Sequence, residues 1–421
     1  VIRGIGSTTT DPGLEQSVAL NIDGINAGRG LLGGLALFDT AQIEILKGPQ
    51  ALFFGKNSPA GVISVTSAGP TDQLSGYIRA GYEFEARERY VEAAIGGPVS
   101  DTLGVRLAVR GTEMDGWLNN TAPPKANPFQ PAYPLPGAWS KRIPDKKNLL
   151  GRLTVQWNPT DKLDFTLKAF ATRYRDNMSG AEQQAICPGP FPITFGVPDP
   201  DGDCKANGLQ PISAAPAAID ATFPHAKGRP YTHFNAQLVS LNVNYEMENL
   251  TLTSATGYYH IYNDSFAANF EASTIGYIDA YNGERTDYVT QELRLASDFD
   301  GALNFSVGGY FEDGQRKAIN DAQIAPVGPD PVTGKFQSAE RIADVDSTAY
   351  SLFGQLRWEI MPDLELAGGA RWTEESKKLR TFNSYVHSFL APVFLPVGTV
   401  VQGKNKEDNV SPEVTLTWHP T

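Results

Sequence analysis

The residues best equipped for chemistry in this 421-residue chain are few and scattered. Its two cysteines, Cys187 and Cys204, share one segment, CPGPFPITFGVPDPDGDC. In an exported chain two thiols this close suggest a disulfide, closing a loop of about 18 residues and constraining it by ~3 kcal/mol in the chain-entropy account. No histidine lies near them, so a metal site is the poorer reading. Asp199, Asp201 and Asp203 resemble half of a calcium loop but lack its glycine-spaced frame and terminal glutamate, so a solvated acidic loop is expected. The five histidines (His225, His233, His260, His387 and His419) are isolated and read as surface side chains. There is no Gly-x-Ser-x-Gly, no His-Glu-x-x-His and no phosphate-cradling loop. The sequence therefore gives no reason to expect an enzyme, a cofactor or a resident metal.

The elements that carry these residues are β-strands. No stretch approaches the ~20 apolar residues of a membrane helix, whereas a membrane-crossing strand needs only ~10 residues, half of them apolar. A net charge of −12 argues against nucleic-acid binding, and 16 Tyr with 21 Phe suit a barrel with interfacial girdles. Beyond Thr71, period-two alternation gives about twelve strands. Val105, Leu107 and Val109 oppose Arg106 and Arg110, and Leu153, Val155 and Trp157 oppose Arg152, Thr154 and Gln156. Leu303, Phe305, Val307 and Phe311 oppose Asn304, Ser306 and Glu312. Tyr350, Leu352, Leu356 and Trp358 oppose Ser351, Gln355, Arg357 and Glu359, with Phe353 the exception. Leu364, Leu366, Ala370 and Trp372 oppose Glu365, Arg371 and Thr373.

Short links near 97–101, 158–162, 247–249, 298–301 and 361–363 alternate with long ones near 114–146, 176–233, 265–284, 317–346 and 381–408. Short periplasmic turns and long outer loops are the rule for outer-membrane barrels. The first hairpin departs from it, being tight at Glu85–Arg87 where a long loop is due. Trp157, Trp358, Trp372 and Trp418 are expected near strand ends by the short turns, as an aromatic girdle. Tyr258, Tyr259, Tyr262, Phe266, Phe270, Tyr277 and Tyr281 suit an outer ligand vestibule and a girdle equally.

Ahead of the strand array lies LFDTAQIEILKGPQALFFGKNSPAGVISVTSAGP (37–70), three short β-type runs joined by turn residues. Val18–Ile25 is another alternating strand, with Asp23-Gly24 as a tight-turn signal. This region closely resembles the plug of TonB-dependent receptors. Ile2-Arg3-Gly4 is similar to the family's "IRG" strand, and Asp23-Gly24 to its "vyvDGv" element. Ile43-Glu44-Ile45-Leu46-Lys47-Gly48-Pro49-Gln50, with Gly55, Asn57 and Gly61 downstream, resembles "IEVLRGPQ…LYGxNxxGGxI". Lys47 and Ala60 replace the usual Arg and Gly. Gln291–Leu295 resembles a "QELRL" wall strand, Gly369–Thr373 "GlRyt", and Val410–Glu413 "SPr", with Glu413 in place of a common Arg.

The resemblance implies a mostly β fold, a transmembrane antiparallel β-barrel with a small α+β plug in its lumen, divided as plug 1–70 and barrel 71–421. Twelve strands would close at about 24 Å across, too narrow for a plug of nearly ~28 Å, whereas twenty-two give about 44 Å. The chain is thus expected to be a fragment holding roughly half a 22-strand barrel, unable to insert or transport alone. In the family, plug arginines pair with wall glutamates, which makes Arg3, Lys47, Glu292 and Arg294 the candidates for plug–barrel pairing. The implied function is energised uptake of a bulky nutrient across the Gram-negative outer membrane. A ferric siderophore is the first choice, with cobalamin, haem or an oligosaccharide as alternatives and a passive porin-type channel as the rival class. The implied partners are the TonB–ExbB–ExbD complex, acting through a TonB box absent from this chain, together with membrane lipid and lipopolysaccharide. Nucleic acid is not among them, and a monomeric barrel is expected.

Overall fold

The computed structural model describes residues 2, 4, 17–27, 32, 37–177, 187, 189–218, 229–268 and 273–419. Arg3, His225 and Phe270 lie outside them. The leading unit is a four-stranded sheet in the order β2-β1-β4-β3. It is built from β1 (Val18–Ile22), β2 (Ile25–Asn26), β3 (Thr40–Lys47) and β4 (Gly61–Ser67), with helix α1 (Ala51–Phe54) between the last two. β1 runs parallel to β4, and β3 antiparallel to it. Asp23 and Gly24 both take positive φ (52° and 89°), the condition for a two-residue turn that matches strand twist.

The wall begins with β5 (Ser75–Glu83), β6 (Glu88–Ser100) and β7 (Leu103–Met114), then a loop bearing β8 (Leu118–Asn119) and β9 (Arg142–Ile143). β10 (Lys146–Thr160) and β11 (Leu163–Asp176) follow, with β12 (Ile193–Thr194) and β13 (Val197–Pro198) in the next loop. The remainder is β14 (Tyr231–Glu246), β15 (Leu250–Ala267), β16 (Ile278–Ser297), β17 (Leu303–Ile324), β18 (Ala339–Met361), β19 (Leu364–Val386) and β20 (Val401–Trp418). Twelve of these make one antiparallel sheet, with β5 and β20 as its free edges. The barrel is partial. No helix among the described residues is long and apolar enough to cross a membrane.

Side-chain alternation sorts the two faces as the sequence implies: Leu107 is 49% exposed on the outer face while Ala108 beside it is 1% exposed on the inner. Phe353 breaks the pattern for a reason. It is buried on the inner face, with the Arg371 guanidinium 5.0 Å above its ring. The strands run longer than bilayer thickness requires. β18 and β19 have 23 residues each, so several outer links are shorter than expected, such as 268–277 and 325–338. Trp157, Trp358 and Trp418 sit exposed near short turns, but Trp372 faces Leu352 well inside β19, away from that girdle.

The outer loops fold onto one another. Cys187 and Cys204 form a disulfide, with their Cα atoms 5.7 Å apart. Asp199 is fully buried rather than solvated, accepting from the Thr274 backbone N–H at 2.7 Å and facing the Lys125 ammonium at 3.4 Å. The Tyr277 ring packs against Phe129 and Phe195. Of the remaining candidate vestibule aromatics, Tyr259 is inward, buried and stacked on Tyr288, while Tyr258 and Tyr262 face outward. Phe266 shares the parity of Tyr258 and Tyr262 but lies at the end of β15, buried with Tyr231 and Tyr281. His387 is buried, contrary to the surface reading, and its Nδ1 accepts from the Phe389 N–H.

Asp330 ties two of these loops together. Burial alone would raise its carboxyl, but the Val332 N–H and the Tyr385 and Ser388 hydroxyls, all within 2.9 Å, hold it below the usual carboxylate range. A depressed folded-state pKa stabilises above the unfolded value of ~3.9 and is lost as pH falls below it. The protection factors of the Val332 and Ser388 amides, each rate taken relative to the intrinsic rate at that pH, are expected to fall as pH drops below about 4, and Asp330→Asn to remove that dependence. Nearer the membrane, a Cβ on Gly257 would come within 2.8 Å of the Ile25 side chain on the plug and closer still to the Thr290 hydroxyl on the neighbouring wall strand. Gly257→Val is expected to lower the urea midpoint for plug release, at about 1–3 kcal/mol of overpacking. Gly151→Ala, whose added Cβ meets nothing within 4 Å, leaves the midpoint unchanged or raised.

Candidate functional site: the plug–wall interface

The plug touches wall strands as far apart as β7 and β19. On a flat sheet these would lie about 38 Å apart, eight strand spacings of ~4.8 Å, so the sheet must curl round the plug. Leu20, Ile22, Ile25, Phe38 and Val65 of the plug share one core cluster with Ala108, Leu150, Phe170, Phe234, Leu238 and Ile261 of the inner wall. The plug therefore sits in the lumen.

Around that apolar contact the interface is charged. The Asp23 carboxylate, offered by the β1–β2 turn, accepts from the Ser67 N–H at 2.8 Å and the Lys168 ammonium of β11 at 2.8 Å. Lys168 also donates to the Ser67 carbonyl at 3.0 Å. Asp39, held at φ 47°, receives the Arg106 guanidinium of β7, whose Nε lies 2.9 Å away, and the Tyr77 hydroxyl at 3.2 Å. Arg152 of β10 lies over the Phe38 ring and donates to the Phe38 and Asp39 carbonyls. On the far side Lys56, between Gly55 and Asn57, lies 2.7 Å from Glu312 of β17 and 3.0 Å from Glu375 of β19. Arg371 donates to the Leu52 carbonyl at 3.3 Å. A Cβ on Gly55 would touch that guanidinium, and one on Gly369 would meet Leu52.

Several motif residues serve the plug's own folding. Gly4, Gly48 and Gly61 all take positive φ, and the Gly48 N–H donates to the Ala60 carbonyl at 3.2 Å. Asn57 also lies in the left-handed region. Pro49 and Glu44 are exposed, and Glu44 accepts from Gln42. The expected pairing of Lys47 with Glu292 is not formed. Lys47 ends β3, the edge strand of the plug sheet, and is exposed. Glu292 is taken by Arg294 on its own strand at 2.7 Å, because residues two apart share a face. The polarity is also largely reversed from expectation: wall cations grip plug acceptors, and Lys56 is the plug cation whose wall carboxylates are seen among the described residues. Arg106, Arg152 and Arg371 had a legible signal, as cations on the polar parity of apolar strands. Lys168 had the same signal on β11, opposite Phe165 and Leu167, whereas Asp39 and Lys56 carried none.

The sequence matches the TonB-dependent receptor plug domain over residues 1–62 and the TonB-dependent receptor-like β-barrel over residues 188–421. The chain belongs to the TonB-dependent receptor family. It is 23% identical over 383 residues to the pesticin receptor of Yersinia pestis and to that of Yersinia enterocolitica, covering 89% of this chain but 46% of theirs. It thus spans about half the length of these curated relatives. Among solved structures it resembles the ferric yersiniabactin uptake receptor FyuA from Yersinia pestis, with TM-score 0.67, 15% identity and coverage of 97% of this chain and 54% of that one. It also resembles the ferric-catecholate import receptor Fiu from E. coli K12, with TM-score 0.67, 15% identity and coverage of 96% and 60%. These likenesses show the fold, a plugged outer-membrane barrel of a transport-receptor family.

In this TonB-dependent receptor, removing one member of a buried pair leaves the other charge stranded, at about 3–5 kcal/mol. Lys168→Met is therefore expected to weaken plug retention by that order, seen as earlier plug exposure to protease in urea. Lys47→Met, at an exposed side chain, should change retention little.

Proposed function

We infer that the protein takes part in energised uptake of a bulky ligand across the outer membrane, with a ferric siderophore as the ligand class. One observation carries this reading: a folded plug sits in the lumen, held by buried ion pairs that surround an apolar contact with the wall. Such a plug blocks free diffusion, and ion pairs weaken several-fold when water enters, since the Coulomb energy of two charges 4 Å apart falls from ~4 kcal/mol at an effective dielectric of 20 to ~1 in water. It can be both a seal and a part that moves. The chain carries no nucleotide-binding motif, so the work must come from outside it, in this family from the TonB–ExbB–ExbD complex. A cavity of about 350 Å³ lies between plug residues Leu37 and Phe38 and the outer parts of β6, β7, β10 and β11, lined by Arg110 and Lys146 together with Glu88. The relatives' names, a ferric yersiniabactin receptor and a ferric-catecholate receptor among them, favour siderophores over cobalamin, haem or oligosaccharides.

The test is uptake of radiolabelled iron by cells expressing the complete receptor, supplied with yersiniabactin-type, catecholate and hydroxamate chelates in turn. The expected result is accumulation of one class, abolished by a protonophore or by loss of TonB. Accumulation that survives both treatments, together with swelling of receptor-loaded liposomes in small sugars, would instead indicate a passive channel.

A further inference from the structure

Plug residues 49–60 form an excursion between two glycines of positive φ, Gly48 at 85° and Gly61 at 140°. They leave the sheet at the end of β3 and rejoin it at the start of β4, carrying α1 between. The excursion closes on itself. The Gly48 N–H donates to the Ala60 carbonyl and the Gln50 N–H to the Ser58 carbonyl, both at 3.2 Å, and the Ser58 hydroxyl donates to the Gly55 carbonyl at 2.7 Å. It is tied back to the sheet by the Asn26 amide on the Lys56 carbonyl at 3.2 Å and by the Ala60 N–H on the Ser17 carbonyl at 3.0 Å. Glycine absorbs large backbone rotations at little steric cost, so a segment flanked in this way can turn as a unit.

The two parts of the plug grip the wall differently. The sheet buries Leu20, Ile22 and Val65 among side chains of β7, β10, β11, β14 and β15, and its Asp23 and Asp39 carboxylates are only 2% exposed beside Lys168 and Arg106. The excursion meets β17 and β19 through Lys56, which pairs with Glu312 and with Glu375, the latter 25% exposed. Two buried donors of this contact, Asn57 Nδ2 and Arg371 Nε, find no hydrogen-bond partner among the described residues. Breaking a dry pair strands a charge, whereas a pair open to solvent is rehydrated as it parts. Along the same contact runs a cavity of about 630 Å³, with Gln50 and Asn57 on the plug side and Glu375, Asn409, Ser411 and Glu413 on the wall side. Strand register sets Asn409, Ser411 and Glu413 beside Thr373, Arg371 and Gly369 on the inner face. Amide, hydroxyl and carboxylate groups thus line both sides, which suits a hydrated polar solute.

We propose that residues 49–60 are a flap, and that the transported chelate leaves the lumen through the seam between this flap and β19–β20. The plug sheet stays docked on β7, β10, β11, β14 and β15 meanwhile. The route rests on the uptake reading above; the flap rests on the geometry alone.

The test has two arms, both on the complete receptor. In the purified protein, Ser351→Cys and Ser240→Cys are labelled singly with fluorescein maleimide across a urea series. Ser351 is a buried wall residue in register with Tyr310 and Thr373, between the Glu312–Glu375 row and Arg371, and so lies under the flap. Ser240 is equally buried beside Lys168 and Gly257, under the sheet. The Ser351 position is expected to label at lower urea than the Ser240 position, with heat-modifiable migration verifying that the wall stays folded. In cells, Gln50→Cys/Ser411→Cys and Ala68→Cys/Thr154→Cys are each closed with a bismaleimide, and radioiron is supplied as the three chelates in turn. The flap cross-link is expected to abolish uptake and leave surface binding intact, and the sheet cross-link to leave both intact. Simultaneous labelling of the two positions, or labelling of Ser240→Cys first, would overturn the flap. Uptake that survives the flap cross-link, or is lost with the sheet cross-link, would overturn the route. A parent receptor that accumulates none of the chelates contradicts the uptake reading instead, and the urea arm still decides the flap.

Discussion

A charge that points into the lumen of a barrel cannot stay unpaired, and this constraint organises the molecule. Arg106, Arg152, Lys168 and Arg371 are all buried on the inner face of strands whose outer face is committed to lipid. Removing such ions from water costs several kcal/mol each unless acceptors replace the lost hydration. The plug supplies those acceptors: two carboxylates at tight turns and several backbone carbonyls. Lys56 repeats the logic in the opposite sense, with Glu312 and Glu375 of the wall. Plug and wall therefore complete each other electrostatically.

Backbone geometry makes this possible. Asp23 and Asp39 both adopt left-handed φ, which turns their carboxylates out of the small plug sheet toward the wall. Gly257 and Gly369 remove side chains where Ile25 and Leu52 press against the strands. The charged contacts cluster on two sides of the plug, toward β7, β10 and β11 and toward β17 and β19.

Much of this was legible in the residues. Strand number, the inward parity of Arg106, Arg152 and Arg371, the paired cysteines and the plug motifs all follow from short-range pattern. What pattern cannot show is which polar groups meet across hundreds of residues. The Lys47–Glu292 pairing failed because a nearer cation, Arg294, shares Glu292's face, while the effective plug cation is Lys56. Asp199 read as a solvated acid because its partners, Lys125 and Thr274, come from two other loops. Trp372 was placed by its position in a short alternating run, whereas β19 extends well beyond the bilayer.

The central claim, that buried plug–wall charge pairs hold the plug in place, is tested most directly by a double-mutant cycle on Asp39 and Arg106. Plug release in urea would be followed for Asp39→Leu, Arg106→Leu and the double variant of the complete receptor. A coupling energy of at least about 1.5 kcal/mol is predicted, with the double variant more stable than the additive sum. Additivity within about 0.5 kcal/mol, as for independent sites, would contradict it.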